Sequence, residues 1–495
     1  MSDAVPSTYA EKLNLGWSLH APLRLAERRF LLISVDLLIA NGALLAAMAL
    51  RYSRGLDVSL ILEHPLWFAI LSASWLLAAS ASDTYHPRVA EHLGAVVPAV
   101  VKAGAQSTLI YLLIPFLTPA LPSSRLALAS LFLVTTAAIL AWRSVYAIVL
   151  PQRILQHRVL VLGTGNAASM IVKTLLDQQR GSYQPVGFID DEPALRGGVV
   201  TDGESVGSRN IDGRGSPSFP LLGGRHQILT VIARCRVTTL VVALSHRVDP
   251  ELLQTLMTCV EKGIDVIPMS VLYEQLTGRV PVPYLEASLD ATVAVQQLDT
   301  SVWWRFVKRL MDVALSGFGL LCLGAILPAT ALAIYLDSPG PILYLQQRVG
   351  KGGRIFSIFK FRTMVPNAEN GIAMWTREDD PRITRVGRFL RATHLDEWPQ
   401  FLNILKGEMS AVGPRPERPE FVSMIAAESP LYPLRHMVKP GMAGWALVKQ
   451  GYAATLEASL VRLQYDLYYV KHQSPWFDLV ILLKTLEDAL AFRGR

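Results

Sequence analysis

The sequence contains little cysteine and little charge for its length. Three of its 495 residues are cysteine, and 18% are Asp, Glu, Lys or Arg, against about 25% in a typical soluble domain. Cys235, Cys259 and Cys322 are scattered, which excludes a disulfide framework and the paired spacing of a zinc site. We therefore expect three reduced cysteines that serve only in packing.

The N-terminal segment lacks the short apolar core and the cleavage site of a signal peptide. Residues 1–20 are polar and carry charges of both signs. We expect residues 1–29 to remain in the protein as a loosely ordered cytoplasmic tail.

Apolar residues are abundant instead. They make up 51% of the chain, which is too apolar for a wholly soluble protein, and the chain is too long for one domain. The net charge of +7 suits anionic lipid surfaces and phosphate-bearing substrates. Nucleic acid is the rival partner, but we find no nucleic-acid-binding motif. The composition therefore predicts a membrane protein with soluble parts and no nucleic-acid partner.

Four apolar runs predict an α-helical bundle of four transmembrane helices within residues 30–152. Each is about long enough to cross roughly 30 Å of hydrocarbon, although the second is marginal. Arg28 and Arg29 precede the first run, and Arg153 and Arg158 follow the fourth, so the positive-inside rule places both ends of the bundle in the cytoplasm. The runs are residues 30–50, 66–82, 93–117 and 126–150.

Asp36 and Lys102 are among the ionisable residues within these runs. Ionisable groups inside a membrane are costly and can mark function. Alternatively, they face neighbouring helices or lie near an interface and only fix the packing. The sequence leaves both explanations open.

A fifth apolar run, residues 313–336, contains Pro328 and has cations at both ends. A spanning helix would place one of these clusters outside, against the charge rule. Because Pro328 removes a backbone donor, it can break the helix midway. We therefore predict a re-entrant membrane helix over residues 310–336, with both ends at the cytoplasmic face. The flanking cations are Arg305, Lys308, Arg309, Arg348, Lys351 and Arg354.

Residues 153–290 alternate between strand and helix patterns, which predicts a Rossmann-like, doubly wound α/β domain. Gly163, Gly165 and Ala168 fit a dinucleotide-binding turn, and Asp190 falls where an acid would meet a ribose hydroxyl. A structural or regulatory domain and an occupied nucleotide site both remain open. The stretch 192–220 is rich in Gly and Ser and predicts a mobile loop, and residues 291–302 form a connector.

A short stretch, residues 387–417, combines adjacent carboxylates with several cations. Asp396 and Glu397 precede an apolar run at helical spacing, so they fall in the first turn of a helix. Acids there can simply complement the helix dipole. The surrounding Arg388, Arg391, Lys406 and Arg415 instead suit a phosphate, a divalent metal and a carboxylate nucleophile that meet at one point.

This part of the chain contains four characteristic sequence blocks in order: KFRTM at 360–364, DPRITRVGRFLR at 380–391, LDEWPQFLNILKGEMSAVGPRPE at 395–417 and KPGMAGWA at 439–446. Together they resemble the monotopic phosphoglycosyl transferases, the bacterial sugar transferase family. The resemblance covers residues 303–495. The N-terminal segments and the α/β insert are similar to the large members of that family, of the undecaprenyl-phosphate glucose or galactose phosphotransferase type.

The resemblance implies roles for individual residues. Asp396 is the expected nucleophile toward a nucleotide diphosphosugar, and Asp396 and Glu397 are the expected ligands of Mg²⁺. For Glu417 and Asp466, in matched segments, a direct role and a positioning ion pair both remain open, and the same holds for Arg388. The expected phosphate-binding residues are Lys360, Arg362, Arg388, Arg391 and Arg415.

The resemblance also implies partners and location. The substrates would be a UDP-sugar, with glucose or galactose favoured, and undecaprenyl phosphate, for exopolysaccharide, capsule or O-antigen biosynthesis. The protein would lie in the bacterial inner membrane among phospholipids, with its catalytic domain on the cytoplasmic face, and a homodimer is possible. An NAD-dependent nucleotide-sugar epimerase or dehydratase is an alternative, although residues 153–290 lack its Tyr-x-x-x-Lys pair. A non-enzymatic assembly scaffold is another.

Residues 340–364 alternate apolar residues with cations and can lie on a bilayer surface. Ordinary β-hairpins with a solvated basic face are the alternative. The C-terminal run around residues 476–483 indicates either a surface-seeking helix or a packed terminal helix.

Overall fold

The computed structural model describes most of the chain. Most of the expected N-terminal tail, residues 1–23, lies outside the described residues. The same holds for most of the expected connector, residues 291–301. The described residues are 24–51, 59–114, 125–149, 156–177, 183–191, 199–200, 219–244, 248–287, 302–366, 368, 380–451 and 455–491.

The first part of the chain is a bundle of antiparallel helices. Leu32, Trp75, Val100 and Ile139 pack together in its core, one from each of the four long helices. All four predicted apolar runs are therefore helical over most of their described residues. The helices are α1 (Leu25–Arg51), α2 (Ser59–Glu63), α3 (Pro65–Ala81), α4 (Pro87–Ala90), α5 (Leu93–Leu112) and α6 (Arg125–Val149).

Three helices within the described residues are long and apolar enough to cross a membrane: Leu25–Ala49, Leu93–Leu112 and Val302–Asp337. Pro65–Ala81 and Phe132–Ile148 are apolar but shorter. The fold thus fits a membrane protein, while the predicted count of four spans stays a prediction.

Asp36 and Lys102 both have partners. Arg143 on α6 donates to the Asp36 carboxylate on α1 through Nε at 3.1 Å and Nη2 at 2.5 Å, and both side chains are almost completely buried. Lys102 on α5 donates to Glu487 near the C terminus. These contacts support the explanation that Asp36 and Lys102 fix the packing between neighbouring elements.

The middle of the chain forms a six-stranded sheet in the order β3-β4-β2-β1-β5-β6, parallel except for the β3–β4 pair. This confirms the predicted α/β domain. Two of its strands, β3 and the start of β4, fall inside the stretch 192–220 that was predicted to be a loop. The elements are β1 (His157–Leu162), α7 (Asn166–Leu176), β2 (Tyr183–Ile189), β3 (Val199–Val200), β4 (Phe219–Gly223), α8 (Ile228–Cys235), β5 (Thr239–Val242), α9 (Pro250–Glu261), β6 (Asp265–Pro268), α10 (Met269–Thr277) and α11 (Val282–Ala287).

The last part combines helices with two small sheets, the antiparallel hairpin β7–β8 and the parallel pair β9–β10. Residues 343–361 are therefore a β-hairpin, and several of its apolar side chains are exposed. The elements are α12 (Val302–Asp337), β7 (Leu343–Val349), β8 (Ile355–Phe361), α13 (Arg385–Ala392), α14 (Phe401–Lys406), β9 (Ser410–Val412), α15 (Pro419–Glu428), β10 (Gly441–Ala443), α16 (Trp445–Gln450), α17 (Leu456–Lys471) and α18 (Pro475–Leu490).

Helix α12 is the long apolar helix of this part, and both of its ends contact the same domain. Asp312 accepts a hydrogen bond from the Ser410 hydroxyl at 2.8 Å, and Asp337 accepts one from the Val386 amide at 2.8 Å. Pro328 lies inside the helix and does not end it. The re-entrant path stays a prediction.

The α/β domain and the C-terminal part share one hydrophobic core. Leu272 and Leu276 of α10 pack in the same cluster as Ile425 of α15 and Leu463 and Leu467 of α17. Sharing a core of this kind couples the two domains.

Candidate active site

A short 3₁₀ turn, Leu395–Gln400, carries the paired carboxylates. It lies between α13 and α14, so the predicted helical turn is present as a tighter 3₁₀ turn. Pro399 sits inside the turn, and both Asp396 and Glu397 are buried. His394 just before it has φ of 55°, a left-handed conformation that is unfavourable for a residue with a Cβ. Backbone strain of this kind is found at functional sites.

Glu397 is held by two cations. Lys360 of β8 donates from Nζ to Oε1 at 2.8 Å, and Arg415 donates from Nη1 to Oε2 at 3.2 Å and from Nη2 to Oε1. Burial alone would raise the pKa of Glu397, but Arg415 and Lys360 hold it well below its usual value. Glu397 is therefore ionised at neutral pH.

Asp396 has the opposite environment. Its carboxylate receives no hydrogen bond from the described residues. Burial, and then the charge of Glu397, raise its pKa to about 6, while Lys360, Arg391 and Arg415 oppose that shift. A carboxylate without hydrogen bonds, ionised near neutral pH, is suited to act as a nucleophile.

Arg391 of α13 lies beside this pair. Its Nε donates to the Thr363 hydroxyl at 2.9 Å, and its charge acts on Asp396. The Arg388 side chain, one turn earlier, is exposed and has no partner among the described residues. Of the two, the structure brings Arg391 to the carboxylates.

Arg362 lies elsewhere. Its buried guanidinium donates to the Ser338 carbonyl, just after the end of α12. Its Nε and Nη1 have no hydrogen-bond partner among the described residues. A Cβ built on Gly340 would lie 2.2 Å from Nη1, so Arg362 fills the turn that follows α12. None of its described contacts is with the carboxylate pair.

Arg415 is supported by a buried chain of groups. Arg435 donates from Nη2 to the Arg415 carbonyl at 2.8 Å and to the Asp466 carboxylate at 2.7 Å. It also donates to the Tyr432 hydroxyl at 2.9 Å. The Asp466 carboxylate therefore positions Arg415 through Arg435, which corresponds to the positioning alternative for Asp466.

Glu417, two residues after Arg415, belongs to a second ion-pair group. Arg462 of α17 donates to its Oε1 at 2.9 Å, and Arg348 of β7 donates to Oε2 at 3.5 Å and to the Pro416 carbonyl at 3.0 Å. These bonds join a turn, a strand and a helix. For Glu417 too, these contacts favour a positioning ion pair over a direct role.

Sequence reasoning missed four of these residues: His394, Arg435, Arg462 and Arg348. None belongs to a spacing pattern that predicts its partner, since Arg435 and Asp466 are 31 residues apart and Arg348 and Glu417 are 69 apart. A positive φ at a histidine leaves no signal in the sequence.

The two carboxylates fit a Mg²⁺ site to different degrees. No group of three or more His, Cys, Asp or Glu side chains within the described ranges could hold a metal ion. Mg²⁺ often binds through one or two carboxylates together with substrate phosphates and waters. Asp396, with no hydrogen bond from the described side chains, fits that arrangement. Glu397 fits it only if its carboxylate oxygens bind the metal while they also accept hydrogen bonds from Lys360 and Arg415.

The predicted dinucleotide turn is also formed. Gly163 has φ of 108°, and a Cβ there would lie 2.7 Å from the Ala243 carbonyl oxygen, so this position requires glycine. Gly165 precedes α7 as its N-cap. Asp190 accepts a hydrogen bond from the Thr164 hydroxyl at 2.5 Å. The structure brings these residues together, and nucleotide binding there stays a prediction.

Two family models match the chain. A model described as bacterial sugar transferase matches residues 303–491, which include every residue of the carboxylate site. A model described as CoA-binding domain matches residues 80–269, from the end of α3 through the parallel sheet.

Similar proteins carry related names. The chain is 41% identical over 239 residues to a UDP-N-acetylgalactosamine-undecaprenyl-phosphate N-acetylgalactosaminephosphotransferase of Aeromonas hydrophila, over 48% of this chain and 55% of that protein. It is 30% identical over 348 residues to an undecaprenyl-phosphate glucose phosphotransferase of Komagataeibacter xylinus, over 69% of this chain and 60% of that protein.

These two matches thus cover little more than half of each relative. A shorter relative is covered almost completely: the exopolysaccharide production protein PSS of Rhizobium leguminosarum bv. phaseoli is 40% identical over 199 residues, which are 38% of this chain and 97% of that protein. The chain therefore belongs to the bacterial sugar transferase family.

Proposed function

We propose that the protein transfers a sugar 1-phosphate from a UDP-sugar to undecaprenyl phosphate and releases UMP. The observation that carries the proposal is the buried Asp396 carboxylate, which accepts no hydrogen bond from the described residues while three cations surround it. Relatives named for undecaprenyl-phosphate sugar phosphotransfer support it. The product would be the first lipid-linked intermediate of a polysaccharide, and one relative is named for exopolysaccharide production.

The chemistry has two displacements. A carboxylate oxygen of Asp396 attacks the β-phosphorus of the UDP-sugar, the bond from that phosphorus to the bridging oxygen breaks, and UMP leaves with the oxygen. Asp396 then carries the sugar phosphate as an acyl phosphate. A phosphate oxygen of undecaprenyl phosphate attacks the same phosphorus, and the Asp396 carboxylate is the leaving group. No net proton transfer is required, and two anionic substrates bind in turn.

The cations have separate tasks. Arg415 and Lys360 neutralise Glu397, so that only Asp396 is available as a nucleophile. Arg391 and Arg415 would hold phosphate oxygens, since the guanidinium fork favours bidentate contacts. Mg²⁺ held by Asp396 and Glu397 would supply neutralisation of phosphate charge.

Several contacts support a cytoplasmic catalytic face. Arg24 before α1 pairs with Asp265 at 3.6 Å, and His86, between α3 and α5, contacts the Leu276 carbonyl at 3.2 Å. The start of α1 and the α3–α5 loop therefore both meet the α/β domain on one side of the bundle. Together with the N-terminal arginines, that side would be the cytoplasm, and the membrane the bacterial inner membrane.

Three sugars are candidates for the donor. Sequence reasoning favoured glucose or galactose, whereas the relatives are named for glucose and for N-acetylgalactosamine. UDP-glucose, UDP-galactose and UDP-N-acetylgalactosamine therefore form the test panel.

The test is UMP release by the purified protein with each donor, with and without undecaprenyl phosphate. We expect release from one donor, stimulated by the lipid, and none from Asp396→Asn, which keeps the shape but loses the nucleophile. Glu420→Gln, which removes an exposed carboxylate, should behave like the wild type. Full UMP release by a folded Asp396→Asn protein would exclude Asp396 as the nucleophile.

A further inference from the structure

A loop between two membrane helices carries an acid that the C-terminal domain holds from two directions. Asp83, directly after α3, accepts hydrogen bonds from Lys449 of α16 and Lys484 of α18, each at 2.9 Å. Its φ is 53°, in the left-handed region. Burial would raise the pKa of Asp83, but the two lysines together lower it. The charge on Asp83 is thus part of the contact.

One turn further along α18, a second polar contact joins the C-terminal domain to the bundle. Glu487 accepts hydrogen bonds from Lys102 and Gln106, both on α5. The Gln106 amide oxygen in turn accepts one from the Ser82 hydroxyl at 3.3 Å. Residues three apart on a helix share a face, so Lys484 and Glu487 form one continuous surface against α3 and α5.

The signs of the charges alternate across this surface. The bundle presents an anion and a cation, Asp83 and Lys102, and the C-terminal domain presents the opposite charges in the same order, Lys484 and Glu487. A shift by one helical turn would place like charges together, which is destabilising. Charge patterns of this kind determine register more than affinity. The contact therefore sets one position of the domain along the bundle.

The same helix extends to the active site. Ile481 of α18 packs in the same cluster as Ile404 of α14, the helix that follows the carboxylate turn. At the other end of α18, Asp478 is held by Lys308 of α12 and by the Tyr469 hydroxyl at 2.9 Å. Helix α18 thus connects the bundle, the long apolar helix and the carboxylate site.

We propose that this contact, hereafter the docking contact (Asp83, Lys102, Lys449, Lys484 and Glu487), holds the carboxylate site at the depth where it meets the phosphate of a membrane-embedded polyprenyl acceptor. The inference rests on the proposed function. Helix α12 anchors the domain in the bilayer, and the docking contact ties it directly to the bundle at a second, offset point, in addition to the contacts that the α/β domain makes with the bundle. These residues position the site and touch no substrate.

The two half-reactions separate this role from general folding. The soluble UDP-sugar reaches the site at any depth, whereas the lipid phosphate lies at a fixed level of the bilayer. Asp83→Asn in lipid nanodiscs should therefore release its first equivalent of UMP at the wild-type rate. Its transfer to undecaprenyl phosphate should fall by about tenfold or more, since misplacement by about 1 Å can cost 10²-fold. Asn tolerates the left-handed conformation.

Two further variants and a second acceptor complete the test. Lys449→Met combined with Lys484→Met should reproduce the loss, and Glu251→Gln, which removes a carboxylate from the surface of the α/β domain, should change neither half-reaction. A short-chain polyprenyl phosphate in detergent, free of any fixed depth, should restore transfer by Asp83→Asn.

Four outcomes would overturn the inference. An equal loss of both half-reactions would assign the docking contact to folding, and an undiminished transfer would remove it from the acceptor step. A defect that persists with the short acceptor would exclude depth as the cause. If the wild type released no UMP from any donor, the proposed function would fail, and the inference with it.

Discussion

At the scale of single residues, two neighbouring carboxylates have opposite chemistry because different groups surround them. Glu397 is neutralised by a lysine and a bidentate arginine, whereas Asp396 accepts nothing from the described residues. Adjacent acids in a buried turn repel each other, and here the hydrogen-bonding cations neutralise only one of the two. The sequence predicted the pair, but only the fold assigns the cations between its members.

The first residue-scale prediction concerns pH. Since the pKa of Asp396 is raised to about 6, the fraction of reactive carboxylate falls as the pH drops below about 6. The rate of UMP release in the first half-reaction should fall with it and reach a plateau above. Lys360 opposes the rise in that pKa, so Lys360→Met should move the plateau to higher pH.

The measurement is a pH–rate profile from about pH 4.5 to 8.5, a range centred near the pKa. Lys262→Met, which removes an exposed lysine of the α/β domain, serves as the control and should keep the wild-type profile. An unshifted profile for Lys360→Met would show that Lys360 has no electrostatic effect on the nucleophile.

The second residue-scale prediction concerns the strained histidine. At φ of 55°, His394→Gly should be more stable than His394→Ala by about 1 kcal/mol, because only glycine adopts this conformation without steric cost. Both variants lose the imidazole, so their difference reports the backbone alone. Chemical denaturation in detergent measures it. Equal stability would show that the left-handed conformation carries no strain.

At the scale of elements, periodicity predicted much of the fold. The apolar runs predicted the bundle helices and α12, and the alternation of strand and helix patterns predicted the parallel sheet. The 3₁₀ form of the Asp396 turn was not predictable, since the same residues fit the first turn of an α-helix. Of the candidate site residues, Lys360, Arg391, Arg415, Asp396 and Glu397 come together. Arg362 packs against the end of α12 instead, because β8 ends at Phe361 and Arg362 no longer follows the strand that carries Lys360.

An element-scale prediction tests how α12 meets the site. A Cβ built on Gly319 would lie 2.4 Å from the Phe401 ring, at the start of α14. Gly319→Ala should therefore push α14 away and destabilise the protein by about 1–3 kcal/mol. Gly317 and Gly324 of the same helix have nothing within 4 Å of such a Cβ, so alanine there should be neutral or stabilising by up to about 1 kcal/mol.

Thermal unfolding and UMP release of the three alanine variants provide the comparison. Gly319→Ala should show a lower unfolding midpoint and a slower release than either control. If all three variants behaved alike, close packing of α12 on α14 would not be what holds the carboxylate turn.

At the scale of the whole molecule, long-range polar contacts join the parts of the chain. The pairs Lys484–Asp83 and Lys102–Glu487 join residues 401 and 385 positions apart. Composition predicted three kinds of structure in this chain but not how they dock, because the partners of an ion pair so distant in sequence leave no local pattern. The shared apolar core and the complementary charges nevertheless hold the domains at defined positions.

The shared core predicts that the α/β domain and the C-terminal part stay together when the chain between them is cut. Besides the apolar cluster, the Trp445 indole donates to the Gly278 carbonyl at 3.0 Å, and Lys471 pairs with Glu274 at 3.0 Å. A protease recognition sequence placed among residues 291–300 allows one cleavage. The two fragments should co-elute in mild detergent and retain UMP release, because the interface remains buried without the covalent link.

A variant with a weakened core makes this test decisive. Leu276→Ala removes a completely buried side chain from the shared cluster, at a cost of about 2–5 kcal/mol, so its cleaved fragments should separate more readily than those of the wild type. Val260→Ala, on the exposed face of α9, should leave the association unchanged. Separation of the wild-type fragments would mean that the connector, and not the shared core, holds the two domains together.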